Sequence, residues 1–222
     1  MEFVDLFEKY EMLVQFVDTI FEKMARDYPE QVKCTQKCAD CCHALFDLTL
    51  IEAIYINHQF QQHCDNTKKT EILSRADTSD RLIYQIKREA YQKSQQGIEE
   101  REIVEQIGQE RVRCPLLNDK ELCEFYNFRP ITCRLYGIPT AIGGAGHTCG
   151  FSGFEKGETY PTVNMDGIYS QLYALSKLLV DSIQTKYDQM SDILMPVSMA
   201  LLTEFTPEYL GIIHPENKGE NQ

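Results

Sequence analysis

The sequence predicts a mainly α-helical domain that packs around a loop-rich core of cysteines. Apolar residues recur at helical spacing in residues 2–27 and again in residues 165–189. Residues 113–164 instead hold four of the eight prolines and seven of the twelve glycines, a composition typical of irregular structure. Eight of the nine cysteines fall into two groups, at 34–42 and 114–149. We therefore expect one helical domain over residues 1–214, with its cysteine core at 34–150.

The first half of the chain is predicted to be helical on both sides of the first cysteine group. The helix of residues 2–27 should end before Pro29, because a proline disfavours helix in the residue that precedes it. Thr49 and Glu52 have the spacing of a capping box, which predicts a helix over about 50–64. A long polar helical region then covers about 66–112, with a break at the Gln95-Gln96-Gly97 stretch.

The second half begins irregular and ends helical. Residues 113–164 should contain no more than a helical turn at about 129–136, so we expect the segment to bury little by itself and to need a bound group to hold it. Helices are predicted over 165–189 and about 191–203. Thr206-Pro207-Glu208 should open a short turn, because proline suits the first position of a helix. The polar residues 215–222 are predicted to form a disordered tail.

The charge of the chain excludes some classes of partner. The 34 acidic and 22 basic residues give a net charge of −12, which argues against nucleic acid and against an anionic membrane surface. The sequence has no apolar stretch long enough to span a membrane, and its first residues lack the pattern of a secretion signal. We therefore expect a cytoplasmic, reducing location, where clustered cysteines indicate metal or redox chemistry more often than disulfides.

The spacing of the cysteines is typical of a metal site. Two cysteines separated by two residues can bind one ion in a tight turn, whose backbone N–H groups then point at the thiolates. A Cys-Pro step, as at Cys114-Pro115, also occurs in iron–sulfur ligand runs. The candidate ligands are Cys34, Cys38, Cys41, Cys42, Cys114, Cys123, Cys133 and Cys149.

The spacing leaves several alternatives open. Neighbouring side chains in extended backbone point apart, so either one member of the Cys41-Cys42 pair packs or the two serve different sites. Eight ligands fit two four-coordinate sites, or one site with spare cysteines. Cys64 is interpreted as a packing residue. His43 and His147 lie beside cysteines and could complete a site, although a loop position at the surface is the simpler interpretation.

The sequence resembles a known family at Cys38-Ala39-Asp40-Cys41-Cys42, at Cys114-Pro115-Leu116-Leu117, and in the string from Cys123-Glu124-Phe125-Tyr126 to Arg129-Pro130-Ile131-Thr132-Cys133-Arg134. These stretches resemble the YkgJ-like cysteine-cluster family, which is proposed to chelate zinc or iron or to contain an iron–sulfur cluster. The resemblance covers roughly residues 34–150 and extends to flagellin lysine methylases, which carry a similar cysteine cluster. It implies an iron–sulfur cluster, with 4Fe–4S favoured, or zinc as the bound group. It implies no particular reaction.

Three further residues of the family string are candidates for contact with the bound group. Arg129 and Arg134 could offset the negative charge of thiolates and donate hydrogen bonds to sulfur, or could form structural ion pairs. Tyr126 could donate a hydrogen bond towards the site or pack in the core.

Three functions are compatible with the sequence. The first is a metal or cluster protein with an accessory, carrier or sensor role and a possible protein partner, because no acid–base or nucleophile motif is evident. The second is a cluster-dependent enzyme, such as a lysine methyltransferase-like or redox enzyme, which only the methylase resemblance supports. The third is a thiol redox switch at a pair such as Cys38 and Cys41, although no βαβ pattern surrounds that pair.

Overall fold

The computed structural model describes residues 3–35 and 37–213. Over these residues the chain is mainly α-helical, as predicted. The helices are α1 (Val4–Asp27), α2 (Leu50–His63), α3 (Asn66–Gln95), α4 (Glu100–Gln109), α5 (Ile131–Leu135), α6 (Met165–Ile183) and α7 (Val197–Leu202). Short strands lie in the segments between the helices: β1 (Leu48–Thr49), β2 (Thr140–Ile142), β3 (Ala145–His147), β4 (Val163–Asn164) and β5 (Leu194–Met195).

Helix α2 lies between two apolar cores. Every residue from Leu50 to Asn57 is buried, and a helix that is buried on all sides must have neighbours on all sides. Leu50, Ile51, Ile54 and Tyr55 belong to a first core, which α1, α5 and α6 complete. The opposite face of α2 belongs to a second core, together with α3 and α7. The predicted capping box begins the helix, since Thr49 and Glu52 bond reciprocally.

The long helical region divides as the sequence predicts. Helix α3 ends at Gln95, and Gly97 adopts a positive φ of 81°, a backbone conformation that glycine reaches without strain. Helix α4 then folds back against α3, and Lys93 of α3 donates a hydrogen bond to Gln106 of α4 at 2.6 Å. The two helices form a hairpin that ends just before the second cysteine group.

Two predicted helices are shorter than expected. Helix α6 ends at Ile183 rather than near 189, because Gln184 takes a left-handed conformation and its carbonyl accepts a hydrogen bond from Ile213 N. The helix expected over 191–203 begins only at Val197. Pro196 disfavours helix in the preceding residue, and Leu194–Met195 instead forms β5, which pairs antiparallel with β1. Residues after Thr206 form the expected turn.

The expectation that residues 113–164 bury little is wrong. The segment has only one short helix, α5, but it contributes large apolar side chains to both cores. Leu116 and Phe125 pack in the second core, and Ile131, Leu135 and Ile138 pack in the first. Apolar residues at irregular spacing can be buried without a periodic pattern when neighbouring elements supply the surface, so this segment is anchored by its own side chains.

No helix among residues 3–35 and 37–213 is long and apolar enough to cross a membrane. The predicted tail at 215–222 lies outside the described residues.

Candidate functional site

Backbone hydrogen bonds bring the two cysteine groups together. The N–H of Cys114 donates to the carbonyl of Cys42 at 2.7 Å, and the N–H of Val112 donates to the carbonyl of His43 at 3.0 Å. Cys41 and Cys42 lie in a single 3-10 turn, Asp40–His43. Because such a turn is sharp, the two neighbouring side chains do not have to point apart as they would in extended backbone.

Seven cysteines line one cavity of about 80 Å³ at the junction of α1, α5 and the two cysteine groups. Its other lining residues include Tyr126, Arg129 and Arg134, the three candidates from the sequence, together with Glu121 and Tyr136. The cysteines are Cys34, Cys38, Cys41, Cys42, Cys123, Cys133 and Cys149.

The eighth candidate, Cys114, lines an adjoining cavity of about 40 Å³. Four cysteines, namely Cys41, Cys42, Cys123 and Cys133, line both cavities and so form a common wall between them. The structure therefore brings all eight predicted cysteines into one neighbourhood rather than two distant sites. Cys64 lines neither cavity and packs in the second core, as the sequence suggested.

The lining of the larger cavity suits a thiophilic metal. Its potential donors among the described residues are seven thiols and the Glu121 carboxylate, with no histidine. Thiolates select zinc and iron–sulfur clusters over hard cations such as magnesium. No three Cys, His, Asp or Glu side chains of the described chain converge in a ready-made single-ion geometry. Thiols are therefore suitable ligands for zinc or for an iron–sulfur cluster. They are spread around a cavity and do not converge on one position.

The central thiols polarise one another. Contact with the Cys133 thiol, and then with Cys42, lowers the pKa of Cys41, and the Arg129 guanidinium acts in the same direction. The same contact with Cys41, together with burial, raises the pKa of Cys133. Contact with Cys42 lowers the pKa of Cys123. Negative charge is thus favoured on the sulfurs of Cys41 and Cys123, which both belong to the common wall.

Arg129 lies at both cavities and has a distinctive environment. Its guanidinium stacks on the Tyr126 ring, 3.9 Å from the centroid, and donates to the Tyr126 carbonyl at 3.1 Å. It forms no ion pair with any carboxylate of the described residues, so its charge is left to act on the sulfurs. Tyr126 is 40% exposed and packs as the platform for this arginine rather than in the core.

Arg134 is held differently. Its side chain is 6% exposed, and it donates to Asp18 of α1 at 2.5 Å and to the carbonyls of Arg129 and Asn127. Its charge is therefore already compensated. Arg134 contributes to the cavity wall mainly by fixing α5, which carries Cys133, against α1.

Helix α5 is also fixed from its other end by a buried carboxylate. Glu52 of α2 accepts a hydrogen bond from the N–H of Ile131 at 3.1 Å, in addition to the bonds from Thr49 that cap α2. Burial raises the pKa of this carboxyl, and the hydrogen bonds from Ile131 and Thr49 offset part of that effect. The capping box recognised in the sequence thus also positions the helix of Cys133.

Cys34 approaches the chain backbone at Gly137. A Cβ added at Gly137 would lie 2.0 Å from the Cys34 sulfur, a distance at which one of the two would have to move. The absence of a side chain at position 137 therefore permits Cys34 to reach its place in the cavity lining. Nothing in the local sequence around Gly137 indicates this contact, because the two residues are more than a hundred positions apart.

Cys149 is held by Asp40, a residue of the first cysteine group. The Cys149 thiol donates to Oδ2 of Asp40 at 3.2 Å, and Arg111 binds Oδ1 of the same carboxylate. Arg111 also donates to the Asp40 carbonyl at 3.0 Å. Sequence reasoning assigned no role to Asp40. The only signal for it in the sequence is its position between Cys38 and Cys41.

The two histidines near the cysteines do not line the cavities. The His43 ring contacts the carbonyl of Ala39 at 3.0 Å, and His147 is exposed on β3. His147 is therefore at the surface, as expected, although it lies in a strand and not in a loop. His43 is only partly exposed and lies in the 3-10 turn of the first cysteine group.

Comparison with known proteins gave one match. A family model named CxxCxxCC, described as "Putative zinc- or iron-chelating domain", matches residues 33–150. The matched range begins one residue before Cys34 and ends one residue after Cys149, so it contains all eight cysteines of the two cavities. Searches of curated proteins and of solved structures found no match to the chain.

Proposed function

Because the chain belongs to the CxxCxxCC family of zinc- or iron-chelating domains, we propose that it holds an iron–sulfur cluster, with 4Fe–4S favoured over zinc, through its two cysteine groups. The proposed role is that of an accessory, carrier or sensor protein. One observation carries the proposal: seven thiols surround a single cavity of about 80 Å³.

The distribution of the thiols favours a cluster over a single ion. One zinc ion requires four ligands at a common point, with Zn–S distances of about 2.3 Å. No group of three or more suitable side chains in the described ranges has that convergence. A cluster occupies a larger volume and accepts ligands spread around it, which agrees with sulfurs that line a cavity.

The charges around the cavity favour thiolates, which can bind either a cluster or zinc. Cys41 and Cys123, whose pKa values are lowered, would act as thiolate ligands, and Arg129 would offset their charge. Cys42 and Cys133 lie in the same wall and are further candidate ligands. Cys114 in the adjoining cavity, and Cys34, Cys38 and Cys149 in the larger one, are the remaining candidates, of which a 4Fe–4S cluster would take four in all. When bound, a cluster would supply one-electron chemistry, whereas zinc would supply a closed structural site.

The lining also supports a role without catalysis of its own. Acid–base catalysis requires positioned proton donors and acceptors. Apart from thiols, the titratable groups that the described cavity lining offers are Glu121, two tyrosines and two arginines. Arg113 pairs with Glu121 at 2.7 Å, which leaves this carboxylate engaged.

The test is purification without oxygen, followed by measurement of iron, sulfide and zinc per chain. We expect a brown protein that contains iron and sulfide. Ser in place of Cys41, Cys123 or Cys133 should abolish most of this content, whereas Cys64→Ser, a matched control in the second core, should retain it.

Two results would contradict the proposal. A colourless protein with stoichiometric zinc would replace the cluster by a zinc site. Wild-type protein that takes up neither iron with sulfide nor zinc, even after anaerobic reconstitution, would remove metal binding through these cysteines altogether.

A further inference from the structure

Helix α3 runs along the second cysteine group and contacts the backbone on both sides of Cys114. The Ser79 hydroxyl of α3 donates a hydrogen bond to the carbonyl of Arg113 at 2.7 Å. About one helical turn earlier, Nε of Arg75 donates to the carbonyl of Pro115 at 2.8 Å. Because residues four apart lie on the same face of a helix, one face of α3 fixes the peptide groups on either side of this cysteine.

Arg75 also reaches the next cysteine along the chain. Its guanidinium donates to Oε2 of Glu124 at 2.6 Å, and Glu124 directly follows Cys123. The Glu124 side chain is 9% exposed, and Lys68 of α3 binds its other oxygen at 3.0 Å. A single arginine side chain therefore joins the backbone after Cys114 to the residue after Cys123.

The loop that connects these two cysteines turns back on itself. A β-bridge pairs Leu117 with Cys123, and the N–H of Glu124 donates to the carbonyl of Leu116 at 2.8 Å. Residues 119–122 at the tip of the loop are exposed. Because the loop is paired at its base, a contact that fixes the base sets the position of both cysteines.

The contacts from α3 do not use a thiol. Arg75 and Ser79 bind backbone carbonyls, and Arg75 also binds a carboxylate, so these contacts persist when the cysteines lose their protons to bind a metal. The charge of Arg75 acts in the same direction. Burial raises the pKa of the Cys114 thiol to about 12, and Arg75 is one of the groups that oppose this rise.

We propose that Arg75 is a positioning residue, which places Cys114 and Cys123 for the bound group by holding the base of their loop against α3. The inference rests on the proposed function only in treating these two cysteines as ligands. Arg75 lines neither cavity and acts through the backbone next to the sulfurs. Without it, the base of the loop would sample more positions, and both cysteines would meet the bound group less often.

The first experiment requires no metal and reports backbone motion rather than thiol ionisation. Amide hydrogen exchange of the full metal-free chain is followed by mass spectrometry in peptides that cover 114–124 and 131–138. Loss of hydrogen bonds from a charged donor should speed exchange at 114–124 by about tenfold in Arg75→Met, while 131–138 should exchange as in the wild type. Unchanged exchange at 114–124 would overturn the inference, and so would an equal acceleration in both peptides, since that would mean a general loss of structure.

The matched control is Arg81→Met. Arg81 is also an arginine of α3 in an ion pair, but its partner is Asp77 of the same helix, at 3.0 Å. Its replacement should leave exchange unchanged in both peptides. Acceleration at 114–124 in Arg81→Met as large as in Arg75→Met would contradict a specific role of Arg75.

The second experiment separates position from charge. Arg75→Lys keeps the positive charge but lacks the planar fork that binds the Pro115 carbonyl and the Glu124 carboxylate together. We expect Arg75→Lys and Arg75→Met both to lose metal to a chelator about tenfold faster than the wild type. A wild-type rate in Arg75→Lys would show that the charge alone matters, and wild-type rates in both variants would show that the two cysteines do not depend on Arg75. If the wild type held no metal, the proposed function would fail, while the exchange rates would still decide whether Arg75 holds the loop.

Discussion

Arg134 donates a hydrogen bond from Nε to the backbone carbonyl of Arg129 at 2.8 Å. The bond joins two arginines that differ in whether a carboxylate balances their charge. Arg134 is neutralised by Asp18, whereas Arg129 faces no carboxylate within ion-pair distance in residues 3–35 and 37–213. The pair separates two tasks that the sequence assigned to both residues: Arg134 holds the helix of Cys133, and Arg129 supplies free positive charge at the thiols.

Replacement of Arg129 by methionine should weaken metal binding with little effect on folding. Removal of a cation beside thiolates raises their pKa, and one pKa unit corresponds to about a tenfold change in affinity. We expect a loss of about tenfold, measured by competition with a chelator. The free energy of unfolding of the metal-free protein should change by less than about 1 kcal/mol, because Arg129 is partly exposed and has no ion-pair partner in the described part of the chain.

Arg134→Met provides the comparison. Loss of this buried arginine would leave Asp18 and two carbonyls without their donor, so the free energy of unfolding should fall by about 2 kcal/mol. If Arg129→Met destabilised the fold as much and left metal affinity intact, the division of roles between the two arginines would be wrong.

Gly137→Ala should displace Cys34. The added methyl group would lie 2.0 Å from the Cys34 sulfur, so the thiol must rotate or the backbone must shift. We expect the metal affinity of Gly137→Ala to fall to that of Cys34→Ala, measured by chelator competition. Gly146→Ala is the control, since an added Cβ there meets no atom within 4 Å. Wild-type affinity in Gly137→Ala would show that Cys34 does not depend on this close approach.

Glu52→Gln should change the pH dependence of stability. Burial raises the pKa of Glu52 in the folded state above the ordinary value of 4.5. Its contribution to stability is therefore fully present below that value and is lost as the pH rises through the raised folded pKa. Glutamine stays neutral throughout, so the stability of the wild type relative to Glu52→Gln should decline as the pH rises above 4.5.

Denaturant unfolding of both proteins in the metal-free state, at a series of pH values below and above 4.5, measures this difference. Titration of the other groups contributes to both proteins and cancels to a first approximation. A relative stability that rises with pH would mean that the folded state lowers the pKa of Glu52 instead.

Removal of metal should loosen the cysteine core unevenly. Residues 130–138 are anchored in the first apolar core, whereas the β2–β3 hairpin and the loop of Cys149 are largely exposed. Limited proteolysis after chelation should therefore cut first within about 143–150, while 130–138 stays protected. Early cleavage within 130–138 would show that metal, and not apolar packing, holds that part of the chain.

The helical framework could be predicted because its causes are local. Thr49 and Glu52 are three residues apart, and Gly97 interrupts a long periodic pattern, so both features are readable in a short window. The end of α6 could not be predicted in this way, because the carbonyl of Gln184 accepts a hydrogen bond from the N–H of Ile213, which lies outside that window. The late start of α7 could partly have been predicted, because Pro196 lies inside the stretch that was expected to form one helix.

The cysteines of the site could be predicted, but most of their supports could not. Spacing identifies Cys38 and Cys41 within a turn, whereas the contacts of Cys34 with Gly137 and of Cys149 with Asp40 join residues about a hundred positions apart. Arg129 and Arg134 have the same chemistry in the sequence, and only the position of Asp18 on α1 distinguishes them. A single sequence carries no information on such pairings.

The placement of α2 between two cores bears on how the chain folds. The segment that carries the family match, 33–150, contains α2 but lacks α1, α6 and α7, which cover it on both sides. Cut out as a fragment, it would expose Ile51, Ile54 and Phe60 to water and lose the Asp18 partner of Arg134. We expect such a fragment to aggregate and the whole chain to unfold in one cooperative step, so that the helices outside the cysteine motif act as an obligatory half of its folding unit.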